Sequence, residues 1–257
     1  MAFKKSRDKR RTTLTIIIFS ELILSEHCDH LSLMQLPFTS EEFFSVFARY
    51  NNAVWPMQWV LGIMAVVAIS LALRKRAAGR SIAVVLAIFW LWMGIRYHWA
   101  FFAAINPAAK FFGALFVIQG LLFLMMGAWR NMLNFERPTG ARRIIGWILI
   151  FYAIVIYPLL GNAVGHHYPT APTFGLPCPT TIFTLGLLLW AAPNARWWLM
   201  IIPWLWAAIG TMAAIKLGVI QDYGLAVAGI TSILVTFTSG KVRKTSVPEG
   251  GLLSAKT

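Results

Sequence analysis

Short basic links divide the chain into long uncharged apolar runs, and this alternation leaves few folds open to it. Seven runs are read, at about 54–73, 81–105, 111–129, 144–164, 177–193, 197–215 and 219–238. About 20 apolar residues, coiled as a helix, match the hydrocarbon thickness of a bilayer. Lipid offers no hydrogen bonds, so each run must satisfy its own backbone, and a helix does so. The runs do not alternate in polarity, which argues against the strands of a membrane β-barrel. Composition agrees: 58% of the residues are hydrophobic and 12% charged, against about 25% charged in soluble domains. The sequence therefore predicts an all-α integral membrane bundle of about seven transmembrane helices.

The links set the orientation. Arg74, Lys75, Arg76 and Arg80 follow the first run, and Arg130, Arg137, Arg142 and Arg143 follow the third. Arg196 follows the fifth, and Lys241, Arg243 and Lys244 follow the last. The opposite side carries only Arg49, Lys110 and Lys216 near the surface. The positive-inside rule then places the C-terminus in the cytoplasm and Met34 outside. The net charge of +14 is read as these signals, in contact with anionic lipid headgroups, with no nucleic acid as partner.

Residues 1–33 read as a doubtful N-terminal extension or a signal-anchor-like segment. Lys4 to Arg11 are basic, and an apolar stretch broken by Glu21 follows, but no small-x-small cleavage site does. His27, Cys28 and His30 have the chemistry of metal ligands but fall in this segment and are set aside. Residues 34–240 are read as the transmembrane domain and 241–257 as a flexible cytoplasmic tail. Thr39-x-x-Glu42 is a capping-box pattern. It opens a predicted interfacial helix at about 40–50, with Phe43, Phe44 and Phe47 on one side.

Gly113, Gly120 and Gly127 recur every seven residues, and Gly161-x-x-x-Gly165 follows on another run. Small residues let helices approach closely in lipid, so both patterns are read as packing seams. The candidate chemistry gathers at the predicted outer end. Arg96, Tyr97 and His98 lie within the second run, and ionisable groups at membrane depth are functional candidates. Asp222, which opens the last run, is the expected ion-pair partner of Arg96. The stretch from Tyr157 to Thr181 holds Pro169, Pro172, Pro177 and Pro179, which forbid a regular helix across it. Two readings stand: an unwound segment lining a cavity, or a rigid turn with Thr180 or Thr181 as N-cap.

The predicted polar pocket has Arg96, Tyr97, His98, Asn106, Tyr168, Thr180, Thr181 and Asp222 as substrate-binding residues. His98, His166, His167 and Cys178 offer nitrogen and sulfur to zinc or copper, although their spacing matches no established ligand pattern. There is no Walker A, GxSxG, HExxH or CxxCH motif and no evident acid/base dyad. An enzymatic reading therefore has nothing specific behind it.

Several stretches carry a family resemblance. They are Met34 to Thr39 (MQLPFT), Phe47 to Asn51 (FARYN), Trp90 to Gly94 (WLWMG) with Tyr97 and His98, Phe101 to Ala108 (FFAAINPA), and Pro172 to Thr184 (PTFGLPCPTTIFT). From about Met34 to Leu234 the chain resembles a bacterial family of multi-pass membrane proteins, domain of unknown function 6064. The resemblance implies a bacterial cytoplasmic membrane and Met34 as the natural start. It supplies no activity, cofactor or partner. The leading expectation is transport or binding of a small solute, an anion favoured through Arg96. The alternatives are metal or redox handling through Cys178 and the histidines, or a structural subunit working with a membrane partner or with copies of itself.

Overall fold

The structure, a computed structural model, describes residues 36–74, 78–135, 139–191 and 197–238. The chain divides into units Met1–Thr39 and Ser40–Thr257, and the fold below is that of the second. The readings of residues 1–33, including His27, Cys28 and His30, lie outside the described residues. So do Lys75, Arg76, Arg137, Arg196 and the tail.

Every regular element among the described residues is helical. α1 (Ser40–Ala53) begins directly after Thr39, where the capping pattern places it. Six helices are long and apolar enough to cross a membrane: α2 (Met57–Arg74), α3 (Gly79–Ala104), α4 (Ala109–Trp129), α5 (Gly140–Ala163), α7 (Trp197–Leu217) and α8 (Ile220–Thr238). The fifth predicted run is different. It forms α6 (Pro177–Leu188), a helix of 12 residues, or about 18 Å at 1.5 Å per residue. That is short of the roughly 30 Å of a hydrocarbon core. The expected seven spans are thus six helices of spanning length and one short apolar helix.

The long helices present large apolar side chains outward. Trp59, Ile63 and Val66 do so on α2, Phe111, Ile118 and Met125 on α4, and Ile144, Ile148 and Phe151 on α5. Water would penalise such faces, whereas lipid tails match them. α6 has no such face: from Pro177 to Leu188 only Cys178 is less than fully buried. A helix apolar on all sides belongs in the centre of a bundle, and α5, α7 and α8 pack around it.

Lipid supplies no hydrophobic drive between helices, so close packing must hold them. The heptad glycines supply it, as expected. A Cβ on Gly94 of α3 would come 2.8 Å from the Gly113 carbonyl oxygen, and one on Gly120 would come 2.7 Å from Leu91. Gly127 faces Ala83. As α4 ascends in number its α3 partners descend, so the pair is antiparallel. Gly161 and Gly165 do not form a second seam. α5 ends at Ala163, and Gly165 adopts φ +90° with open space around it. The close approach lies instead between Gly146 of α5 and Gly186 of α6.

Arg142 fixes one end of α6. Its Nε and Nη2 donate to the carbonyls of Leu189 and Ala191, each at 2.8 Å. These are carbonyls that the end of a helix leaves without partners. The residue read as an orientation charge is therefore also a cap, and it sets the end of α6 level with the start of α5. Arg142→Ala is expected to lower stability by about 2 kcal/mol, the scale of hydrogen bonds from a charged donor. Thermal unfolding in detergent measures this, with exposed Arg143→Ala as the neutral comparison.

Candidate functional site

The site lies at the end of the bundle where α1 and the proline-rich loop before α6 sit. Asn51, fully buried on α1, organises that loop. Its Nδ2 donates to the carbonyls of Pro169 (2.7 Å) and Ala171 (2.8 Å), and its Oδ1 accepts from the Thr173 hydroxyl at 2.7 Å. Next to it, the Tyr50 hydroxyl accepts from Trp92 Nε1 at 2.7 Å and donates to the Gly175 carbonyl. Burial pushes the Tyr50 phenol well above its usual range, against the smaller opposing pulls of the Trp92 N–H and Arg96. Tyr50 is thus a neutral hydroxyl. Loop backbone away from water must find such partners, and this pair of side chains supplies them. The FARYN and PTFGLPCPTT stretches are one structural unit.

α6 starts at Pro177 with Leu176 in the N-cap position, four residues before Thr180, so neither Thr180 nor Thr181 is the cap. Proline suits a first helical turn because its missing N–H is not needed there. Thr180, fully buried, accepts from the Gly175 N–H at 3.1 Å, and its carbonyl accepts from Thr184 at 2.7 Å. Thr184 in turn accepts from Trp90 Nε1 at 3.1 Å. Thr180 therefore ties the loop to the helix.

α3 changes pitch where the candidate residues lie. From Met93 to Trp99 it is π-helical, shown by the Ala100 N–H bonding the Ile95 carbonyl at 3.2 Å. The wider turn is common at functional sites. It leaves Arg96 exposed, 5.9 Å from the Phe101 ring, while Tyr97 and His98 point inward. Tyr97 stacks on Phe102, with centroids 5.5 Å apart. His98 is fully buried among Phe112, Phe116 and Trp206, and neither ring nitrogen has a hydrogen-bond partner.

No ion pair joins Arg96 to Asp222. Asp222, which is 3% exposed, accepts a short hydrogen bond from the Tyr157 hydroxyl, and the Cys178 thiol stands near it. Trp206 stands beside the Cys178 sulfur, and its indole N–H has no acceptor. Thr181, one turn from Cys178 on α6, is fully buried with its hydroxyl unpartnered. Gln221, next to Asp222, pairs with His166 Nδ1 at 2.9 Å and leaves the other end of its amide unbonded.

The remaining candidates are dispersed. Asn106 forms a local turn before α4, its side-chain oxygen accepting from the Ala108 N–H at 3.1 Å. Tyr168 is exposed and donates to the Asn51 carbonyl at 3.3 Å. His166 lies against the Phe44 ring, 4.4 Å between centroids, and exposed His167 pairs with Asn162. The four residues expected to hold zinc or copper do not converge. Among the described residues no three His, Cys, Asp or Glu side chains form a group able to hold a metal ion.

The structure thus brings Cys178 and Asp222 together with Tyr157, and sets Tyr97 and His98 in ring contact with each other and His98 against Trp206. Tyr157, Trp206 and Gln221 are residues that the sequence did not single out as a site. Tyr157 had a readable signal, a hydroxyl inside an apolar run just before a proline. Trp206 had none among the twelve tryptophans. Neither the curated proteins nor the solved structures offer a match to this chain. One family does match, over residues 40–246, which take in every described helix and every residue of the site. The chain belongs to that family, the family of unknown function DUF6064.

Proposed function

We propose that this protein binds, and carries across its membrane, a small polar solute at a site centred on Asp222. The observation behind this reading is a buried carboxylate in a bundle that also buries several polar groups with unused hydrogen-bonding capacity: His98, Thr181, Trp206 and one end of Gln221. Such groups are costly in an apolar bundle and are retained where function needs them. The positive-inside reading puts this end of the bundle at the outer face, in a bacterial cytoplasmic membrane. His166 links Gln221, the neighbour of Asp222, to Phe44 of α1.

The test uses the full chain in detergent and a panel of small anionic, cationic and neutral solutes. At least one class is expected to raise the unfolding midpoint, with the response lost in Asp222→Asn. Uptake of that solute into proteoliposomes then separates carriage from binding. If no solute acts on the wild type, the polar cluster is internal glue. The reading as a structural subunit, checked by copurification, then takes its place.

A further inference from the structure

We propose that the solute is a small organic cation, an ammonium or substituted ammonium group on a compact body. This rests on the solute-binding reading above and names the class of ligand. Asp222 accepts a hydrogen bond from a neutral donor, the Tyr157 hydroxyl, and no described Lys, Arg or His forms an ion pair with it. The cations at this end, Arg49, Arg96, Lys110 and Lys216, are all exposed. A carboxylate in low dielectric without a counter-charge is a strong attractor for a cation and repels an anion.

The surroundings favour an organic cation over a metal ion. The Tyr157 ring adjoins the carboxylate through its hydroxyl, and Trp206, beside Cys178, lies 5.1 Å from the His98 ring and 5.0 Å from Phe116, centroid to centroid. Aromatic faces attract ammonium groups through their quadrupole. The Thr181 hydroxyl and one His98 nitrogen are acceptors without partners, matched to N–H donors. A hard metal cation would need about six oxygen ligands, and the cluster holds far fewer.

The probes are ethylammonium, tetramethylammonium, acetate and acetamide, at equal ionic strength, with the full-length protein in detergent. The ammonium ions are expected to raise the unfolding midpoint with dose, and their affinity to fall at least about tenfold in Asp222→Asn, a loss of about 1.4 kcal/mol. Acetate and acetamide are expected to do nothing. Should Asp222→Asn fail to fold, Trp206→Phe and Thr181→Val replace it. A weakened ammonium response in either supports the proposal, and an unchanged response in both overturns it. If acetate or acetamide acts instead, in an Asp222-dependent way, the solute site stands and the cationic class is wrong. If none of the four probes acts on the wild type, the cationic class is overturned, and the wider panel of solutes decides the binding reading on which it rests.

Discussion

Asn51→Ala is expected to destabilise the protein by roughly 3 kcal/mol, about 1 kcal/mol for each of the three shortest side-chain hydrogen bonds removed from a buried position. The change strips donors from the Pro169 and Ala171 carbonyls and the acceptor from Thr173. Amide hydrogen exchange is expected to rise over residues 164–176 and to stay low through α3 and α4. Asn51→Asp separates hydrogen bonding from size. It has the same shape but turns a carboxylate oxygen toward two carbonyl oxygens, so it is expected to be at least as damaging. Near-wild-type unfolding of Asn51→Asp would show that the loop holds itself without this clamp.

A second large effect is expected at Gly146. A Cβ there would run into the Trp190 indole and come 2.9 Å from the Gly186 carbonyl oxygen. Backbone cannot retreat as a side chain can. Gly146→Leu is therefore expected to cost about 3 kcal/mol, the upper part of the usual overpacking range. It should lower the yield of folded protein as well as the unfolding midpoint. Gly62 serves as the control, because nothing lies within 4 Å of a Cβ built on it. Gly62→Ala should be neutral or gain up to about 1 kcal/mol from helix propensity. Equal behaviour of Gly146→Leu and Gly62→Ala would remove the α5–α6 contact as a determinant of packing.

The long helices and the start of α1 were legible because uncharged length and a capping pattern are local properties. The heptad glycines were legible because their period matches one face of a helix. Azimuth was not legible. Arg96 and Asp222 stand at similar heights, which suggested a pair, but successive helical residues point about 100° apart. The π turn at Met93–Trp99 shifts that phase again, sending Arg96 outward and His98 inward. The expected metal ligands failed for the same reason: shared height did not bring His98, His166 and Cys178 onto one centre. The polar residues that join distant segments, Asn51 and Tyr157 above all, carry no spacing pattern. Their partners lie 118 and 65 residues away.

The enclosure of α6 has a consequence for how the protein is made. During synthesis α6 leaves the ribosome before α7 and α8, two of the helices that pack around it. Too short to rest across the bilayer alone, and lacking a lipid-facing side, it has no stable place until those helices arrive. Insertion of this segment is therefore expected to be completed late and together with α7 and α8. A chain cut after Ala191 should be cleared by membrane quality control instead of accumulating as a partial bundle.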